Sequence, residues 1–207
     1  MEEDLLQGPE EDKPGREVII IFAVFFEAGL APLSLILGWL FGHPPLEHFA
    51  WSMPDALLGV VATIPLVLMF LAMLRWPVGP LARVKKFCDT EVVPLLDQSS
   101  WSEIGLISLS IGVSEEMLFR GVAQAAIGSW LGVTWGVVLA SVLFGLFHPI
   151  SLTYMIIATI LSVYLGAVFI AVDNLLTCMV IHALYDFAAL GYLLRIRPAL
   201  EAEDDSN

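Results

Sequence analysis

Charge is scarce in this chain, and positive charge is scarcest. Only 15% of the 207 residues are charged, where a soluble domain has about a quarter. Nine are Lys or Arg against 22 Asp or Glu, a formal net charge of −13. So few cations exclude a nucleic-acid-binding surface. Cysteine is equally sparse: Cys88 lies in a polar loop and Cys178 in an apolar stretch. Neither has a metal or redox spacing, and no disulfide between them is expected. A basic leader is missing too. The opening "MEEDLLQGPEEDK" predicts neither a cleavable signal peptide nor an Arg-rich transit peptide. There is no internal repeat and no low-complexity tract.

Apolar side chains fill the gap. The chain is 58% hydrophobic with a mean hydropathy of +0.83, the composition of a one-domain integral membrane protein. Much of the negative charge sits in the two ends, which read as solvated, disordered tails over 1–16 and 196–207.

A membrane-spanning helix needs about 20 mostly apolar residues. Six stretches qualify, at about 17–41, 55–74, 102–128, 131–149, 152–172 and 174–194. The expected fold is therefore all-α, a polytopic bundle of six transmembrane helices. Ser100 and Glu103 have the spacing of a capping box before the third stretch. Pro54 and Pro149 mark the ends of neighbouring elements. Between the second and third stretches, Leu81, Val84, Phe87 and Cys88 recur at helical spacing, which predicts a short interfacial helix. Residues 17–100 thus hold two N-terminal helices and this loop, and 101–195 the core.

The few cations set the topology. Lys13, Arg16, Arg75, Arg83, Lys85, Lys86, Arg195 and Arg197 all fall on one side if the N-terminus is cytoplasmic. The positive-inside rule then predicts both termini inside. The ninth cation, Arg120, is inside a span.

Within the six stretches the ionisable residues are Glu27, Glu115, Glu116, Arg120, His148, His182 and Asp186. Such groups persist at membrane depth only when paired or facing a wet cavity, so each is a functional candidate. Glu116 and Arg120 are four apart and share a helix face. As a mere helix pin this pair would leave Glu115 a costly surplus charge. A division of roles explains both glutamates better, one ionised and paired, the other poised as base or ligand. His148 ends the fourth stretch; alone it would be an ordinary hydrogen-bonded residue. His182 and Asp186, again four apart, can both point at one metal or water, can form an orienting pair, or can simply satisfy one another. Taken together, three helices supply Glu, His and His, the ligand set of a catalytic zinc site with an open fourth position. Glu27, in "FFEAGLAP", belongs to none of these motifs and is expected to face the polar cavity or a neighbouring helix.

The three motifs, Glu115-Glu116-Met-Leu-Phe-Arg120, Phe144-Gly-Leu-Phe-His148 and His182-Ala-Leu-Tyr-Asp186, resemble the pattern of the CPBP (Abi, CAAX protease and bacteriocin-processing) family of intramembrane proteases. They occur in the family's order and spacing, with Asp186 where the family takes Asn or Asp. The resemblance covers about 101–195; residues 1–100 match nothing specific. It implies a helix bundle around a conical, water-accessible cavity and an endopeptidase acting on membrane-associated proteins or peptides, including prenylated CaaX tails in eukaryotic relatives. Glu115 would be the general base on a water held with His148. Arg120 would keep Glu116 ionised, and His182, oriented by Asp186, would complete the water site or hold the oxyanion. The resemblance leaves open whether Zn²⁺ sits on Glu115, His148 and His182. A non-proteolytic scaffold or immunity protein of the same fold is the rival reading, and a small transporter a weaker one, since these spans show no related halves. The composition suits a bacterial inner membrane.

Overall fold

The computed structural model describes residues 16–204, and every regular element in that range is helical. The elements are α1 (Arg16–Phe41), α2 (Met53–Arg75), α3 (Pro80–Phe87), α4 (Val93–Leu96), α5 (Trp101–Glu116), α6 (Ala125–Leu131), α7 (Val133–Leu146), α8 (Leu152–Val172), α9 (Leu175–Gly191) and α10 (Arg197–Asp204). Wider, π-type turns join three pairs: Cys88–Val92 between α3 and α4, Met117–Gln124 between α5 and α6, and Tyr192–Ile196 between α9 and α10. The lettered tails fall mostly at 1–15 and 205–207, outside the described residues; Arg197–Asp204, expected as tail, is helix.

Local chemistry explains the starts. Ser100 Oγ accepts from the Glu103 amide at 3.3 Å, and Glu103 Oε2 accepts from the Ser100 amide at 2.7 Å, the reciprocal capping box expected for α5. Ser52 caps α2 through the Asp55 amide, with Pro54 in the first turn where its missing N–H costs nothing. Asn174 caps α9 and ties down the segment before α2. Its Nδ2 donates to Ala50 O at 3.0 Å and to Asp55 Oδ2 at 2.8 Å.

Four helical stretches are long and apolar enough to cross a membrane: Val24–Phe41, Met53–Arg75, Leu152–Val172 and Leu175–Leu200. The other two expected spans differ for physical reasons. The run from α5 through α6 carries Glu103, Glu115, Glu116 and Arg120. Helix α7 has 14 residues, about 21 Å at the α-helical rise and short of a bilayer's roughly 30 Å. His148 therefore sits just past α7, in the turn before α8.

At the centre α5 packs against α9, with α2 also on α9, α1 on α5, and α7 on α8. Between apolar helices in lipid, close approach has to supply attraction that water would otherwise drive. Gly112 permits it here: a Cβ at that position would lie 2.6 Å from the Ala183 amide nitrogen. Gly145 does the same between α7 and α8, 2.6 Å from Met155 O. These two contacts bring Glu115 and Glu116, His148 and His182 to one level.

Candidate active site

Arg120 is the anchor of the site and is almost completely buried. Its Nη1 donates to Glu116 Oε1 at 2.9 Å, while Nη2 donates to both Ser162 O and Ser162 Oγ at 2.9 Å on α8. The guanidinium also lies over the Phe144 ring, 5.2 Å from its centroid. One cation thus fixes α5, α7 and α8 together, and holds Glu116 as a carboxylate.

That carboxylate orients a histidine. His182 Nδ1 lies 2.8 Å from Glu116 Oε1. A carboxylate paired with arginine only accepts, so Nδ1 carries the proton and Nε2 is turned to the other side. There, Nε2 meets Glu115 Oε2 and Asp186 Oδ2, each at 3.7 Å. The partner that sets the ring is therefore Glu116, and Asp186 stands beyond hydrogen-bond reach of it.

His148 is arranged in the same sense from the opposite side. Its Nδ1 donates to Phe144 O at 2.8 Å, one turn back, and its Nε2 faces Glu115 Oε1 at 3.9 Å. The ring stacks on Phe144 with centroids 4.6 Å apart. Phe144 also touches His182 and Phe119, so a single aromatic ring keeps both imidazoles in place. Glu115 lies between two Nε2 atoms at distances too long for direct hydrogen bonds and suited to a bridging water. Its Oε2 is buried and accepts no hydrogen bond from the protein.

These groups line a cavity of about 280 Å³, together with Glu27 and apolar side chains of α2, α3, α8 and α9. The interfacial helix expected from the sequence is present as α3, but its apolar face is not merely laid on lipid. Val84, Phe87 and Cys88 roof the cavity. Ser162, Phe144 as the aromatic support, and the roof were not assigned from sequence. Ser162 carried a faint signal as a lone hydroxyl within an apolar run.

Residues 97–188 match the family model described as Rce1-like, Type II CAAX prenyl endopeptidase. This segment is a CAAX-protease-family domain. No curated protein and no solved structure matched the chain. The CAAX-protease domain contains all three motifs, and the structure brings Glu115, Glu116, Arg120, His148, His182 and Asp186 together around one cavity. The zinc expectation fares differently. Among the described residues no group of three His, Cys, Asp or Glu side chains is placed to hold one metal ion. Glu115 meets its two imidazoles through different oxygens. No step below runs through a metal.

The roof is clasped. Asp89 Oδ2 receives Lys85 Nζ at 2.7 Å, and Asp89 Oδ1 receives Arg197 Nη1 at 2.6 Å from the far end of the chain. Burial opposes ionisation of Asp89, but the hydrogen bonds from Lys85 and Arg197 outweigh it and hold the carboxyl below its usual range. A carboxyl depressed in this way stabilises the closed roof above its ordinary pKa, and the stabilisation fades as pH falls through the depressed one. Burial and then Asp89 push the neighbouring Cys88 thiol up, which makes it a poor nucleophile. Cys88 is nonetheless a good reporter, because Cys178 is fully buried. Asp89→Asn is expected to raise the rate of Cys88 alkylation by a maleimide about tenfold at neutral pH. An unchanged rate would mean that Asp89 does not hold the roof shut.

Proposed function

We propose that this chain is an intramembrane endopeptidase that hydrolyses a peptide bond of a membrane-associated protein or peptide with a water activated by Glu115. The observation that carries the reading is the placement of the Glu115 carboxylate between the Nε2 atoms of His148 and His182, inside a largely apolar cavity. A water bridging Glu115 and His148 gives its proton to Glu115 as its oxygen attacks the scissile carbonyl carbon. An Nε2–H on His182 donates to the oxyanion, with Nδ1–H committed to Glu116. Glu115 then passes the proton to the departing amine nitrogen, so water is divided between the two products. Arg120 and Glu116 act as positioning residues, and Asp186 lines the approach to His182 Nε2.

The surrounding topology belongs to the same reading. Six membrane-embedded helices, with the run from α5 to α6 and the short α7 sheltered by the four long ones, and both termini cytoplasmic, accord with the distribution of cations. A bacterial inner membrane is the setting that suits it.

The test compares membrane proteins from cells expressing the wild type and His148→Ala at equal inserted level, with new N-termini mapped by mass spectrometry. A cleavage product present only with the wild type is expected. Identical peptide sets from both would remove the proteolytic reading and favour a scaffold. Metal content of the purified protein is read alongside. Equimolar Zn²⁺ retained by the wild type and lost in His182→Ala would replace the metal-free step.

A further inference from the structure

Glu27 is the one ionisable residue of the spans that the proposed chemistry leaves unused. It comes from α1, outside the 97–188 segment, yet it lines the same cavity as Glu115 and Asp186. Its Oε2 is buried and accepts no hydrogen bond from the protein. It interacts electrostatically with Asp186 and His182, and Glu115 in turn feels it. Three carboxylates therefore face one space, and among the described residues lining it none is a lysine or arginine. Two of the three, Glu27 and Glu115, present a buried oxygen without a hydrogen-bond donor, and Glu115 is only 6% exposed.

Such an arrangement is costly at membrane depth unless something that enters the cavity supplies positive charge and donors. The rest of the wall narrows what that can be. Leu66, Phe70 and Met73 of α2 line the cavity with Glu27 and Glu115, offering an apolar track beside an acidic one. A long aliphatic stem ending in a cation matches both, and that is the form of a lysine or arginine side chain. A peptide carboxylate has the wrong sign for every ionisable wall residue except the histidines.

We infer that Glu27 is a specificity-determining residue: it selects a substrate segment carrying a lysine or arginine side chain beside the scissile bond, and the cavity rejects one that places a carboxylate there. The inference rests on the proposed function for the phrase "scissile bond", while the charge preference of the cavity stands apart from turnover. Endopeptidase action on an internal, basic segment follows from it, in place of removal of a short C-terminal piece ending in a free carboxylate.

Binding and cleavage are measured separately to keep the two readings distinct. The probes are three N-acetylated, C-amidated, fluorescein-labelled peptides of one Leu-rich sequence, with Lys, norleucine or Glu at the central position. The full chain is held in phosphatidylcholine nanodiscs, and nanodiscs without protein correct for partitioning. Wild type is expected to bind the Lys peptide about tenfold more tightly than the norleucine peptide, and the Glu peptide most weakly. Glu27→Gln should bring the Lys and norleucine affinities together, Glu27→Asp should keep them apart, and Glu27→Lys should favour the Glu peptide. Equal binding of the three peptides by wild type overturns the inference without any variant having to fold. So does an unaltered Lys preference in a correctly inserted Glu27→Gln. Lys-selective binding without cleavage would instead leave this inference intact and count against the peptidase.

Discussion

Glu115→Gln is expected to lower the rate of peptide cleavage by about two to four orders of magnitude while the protein inserts and purifies at the wild-type level. The substitution keeps the shape and most of the volume of the side chain and removes only the capacity to take a proton. Its small effect on folding follows from the geometry. Oε2 is buried without a donor, and the nearest imidazole nitrogens stand at 3.7 and 3.9 Å, so no strong contact of the fold depends on the carboxylate. The measurement is product formation in proteoliposomes at fixed protein, using whichever membrane substrate yields a mapped cut. Wild-type turnover by a fully inserted Glu115→Gln would move the base elsewhere. His148→Ala should share the loss of activity with normal yield. For His182→Ala, lower yield should accompany the loss, because its Nδ1 is a buried donor to Glu116. The split between the histidines separates groups that hold water from groups that also hold the fold.

That contrast also marks what a one-dimensional reading reaches. Glu116 with Arg120, Phe144 with His148, and His182 with Asp186 are each four apart, so helix geometry alone predicts a shared face. Their common cavity was legible because an apolar sequence has few other places for charge. The roles inside it were less so. Asp186 had the right spacing to orient His182, yet the ring is held by Glu116 on another helix, a choice made by the α5–α9 contact that Gly112 permits. Ser162, 42 residues from Arg120, could not be paired with it from spacing at all. The π-type turn over Met117–Gln124 shifts the helical phase through Arg120, and nothing local in "MLFRGVAQ" announces it. The roof's apolar stripe was visible, but its burial against the cavity depends on Arg197, more than a hundred residues away.

The largest structural effect is expected at Arg120. Arg120→Ala should reduce folded yield sharply, with a destabilisation of about 3–5 kcal/mol, because it strands Glu116 as a buried, uncompensated carboxylate. Three further contacts go with the guanidinium: two hydrogen bonds to Ser162 on α8 and the cation–π contact with Phe144. A double substitution distinguishes stranded charge from lost packing. Arg120→Met combined with Glu116→Gln removes both charges and keeps most of the volume, and the new amide still accepts from His182 Nδ1. It should therefore recover much of the yield that Arg120→Met alone loses, giving a coupling energy of about 1–3 kcal/mol in a thermodynamic cycle. Activity should not return with the yield, since a neutral Gln holds the imidazole less firmly than an ionised Glu. The decisive measurements are the monodisperse fraction on size exclusion and the thermal midpoint in detergent for all four proteins, followed by cleavage. Additive losses, with the double variant no better than the sum of the singles, would show that the pair contributes as independent packing and that Glu116 does not depend on Arg120 for its charge.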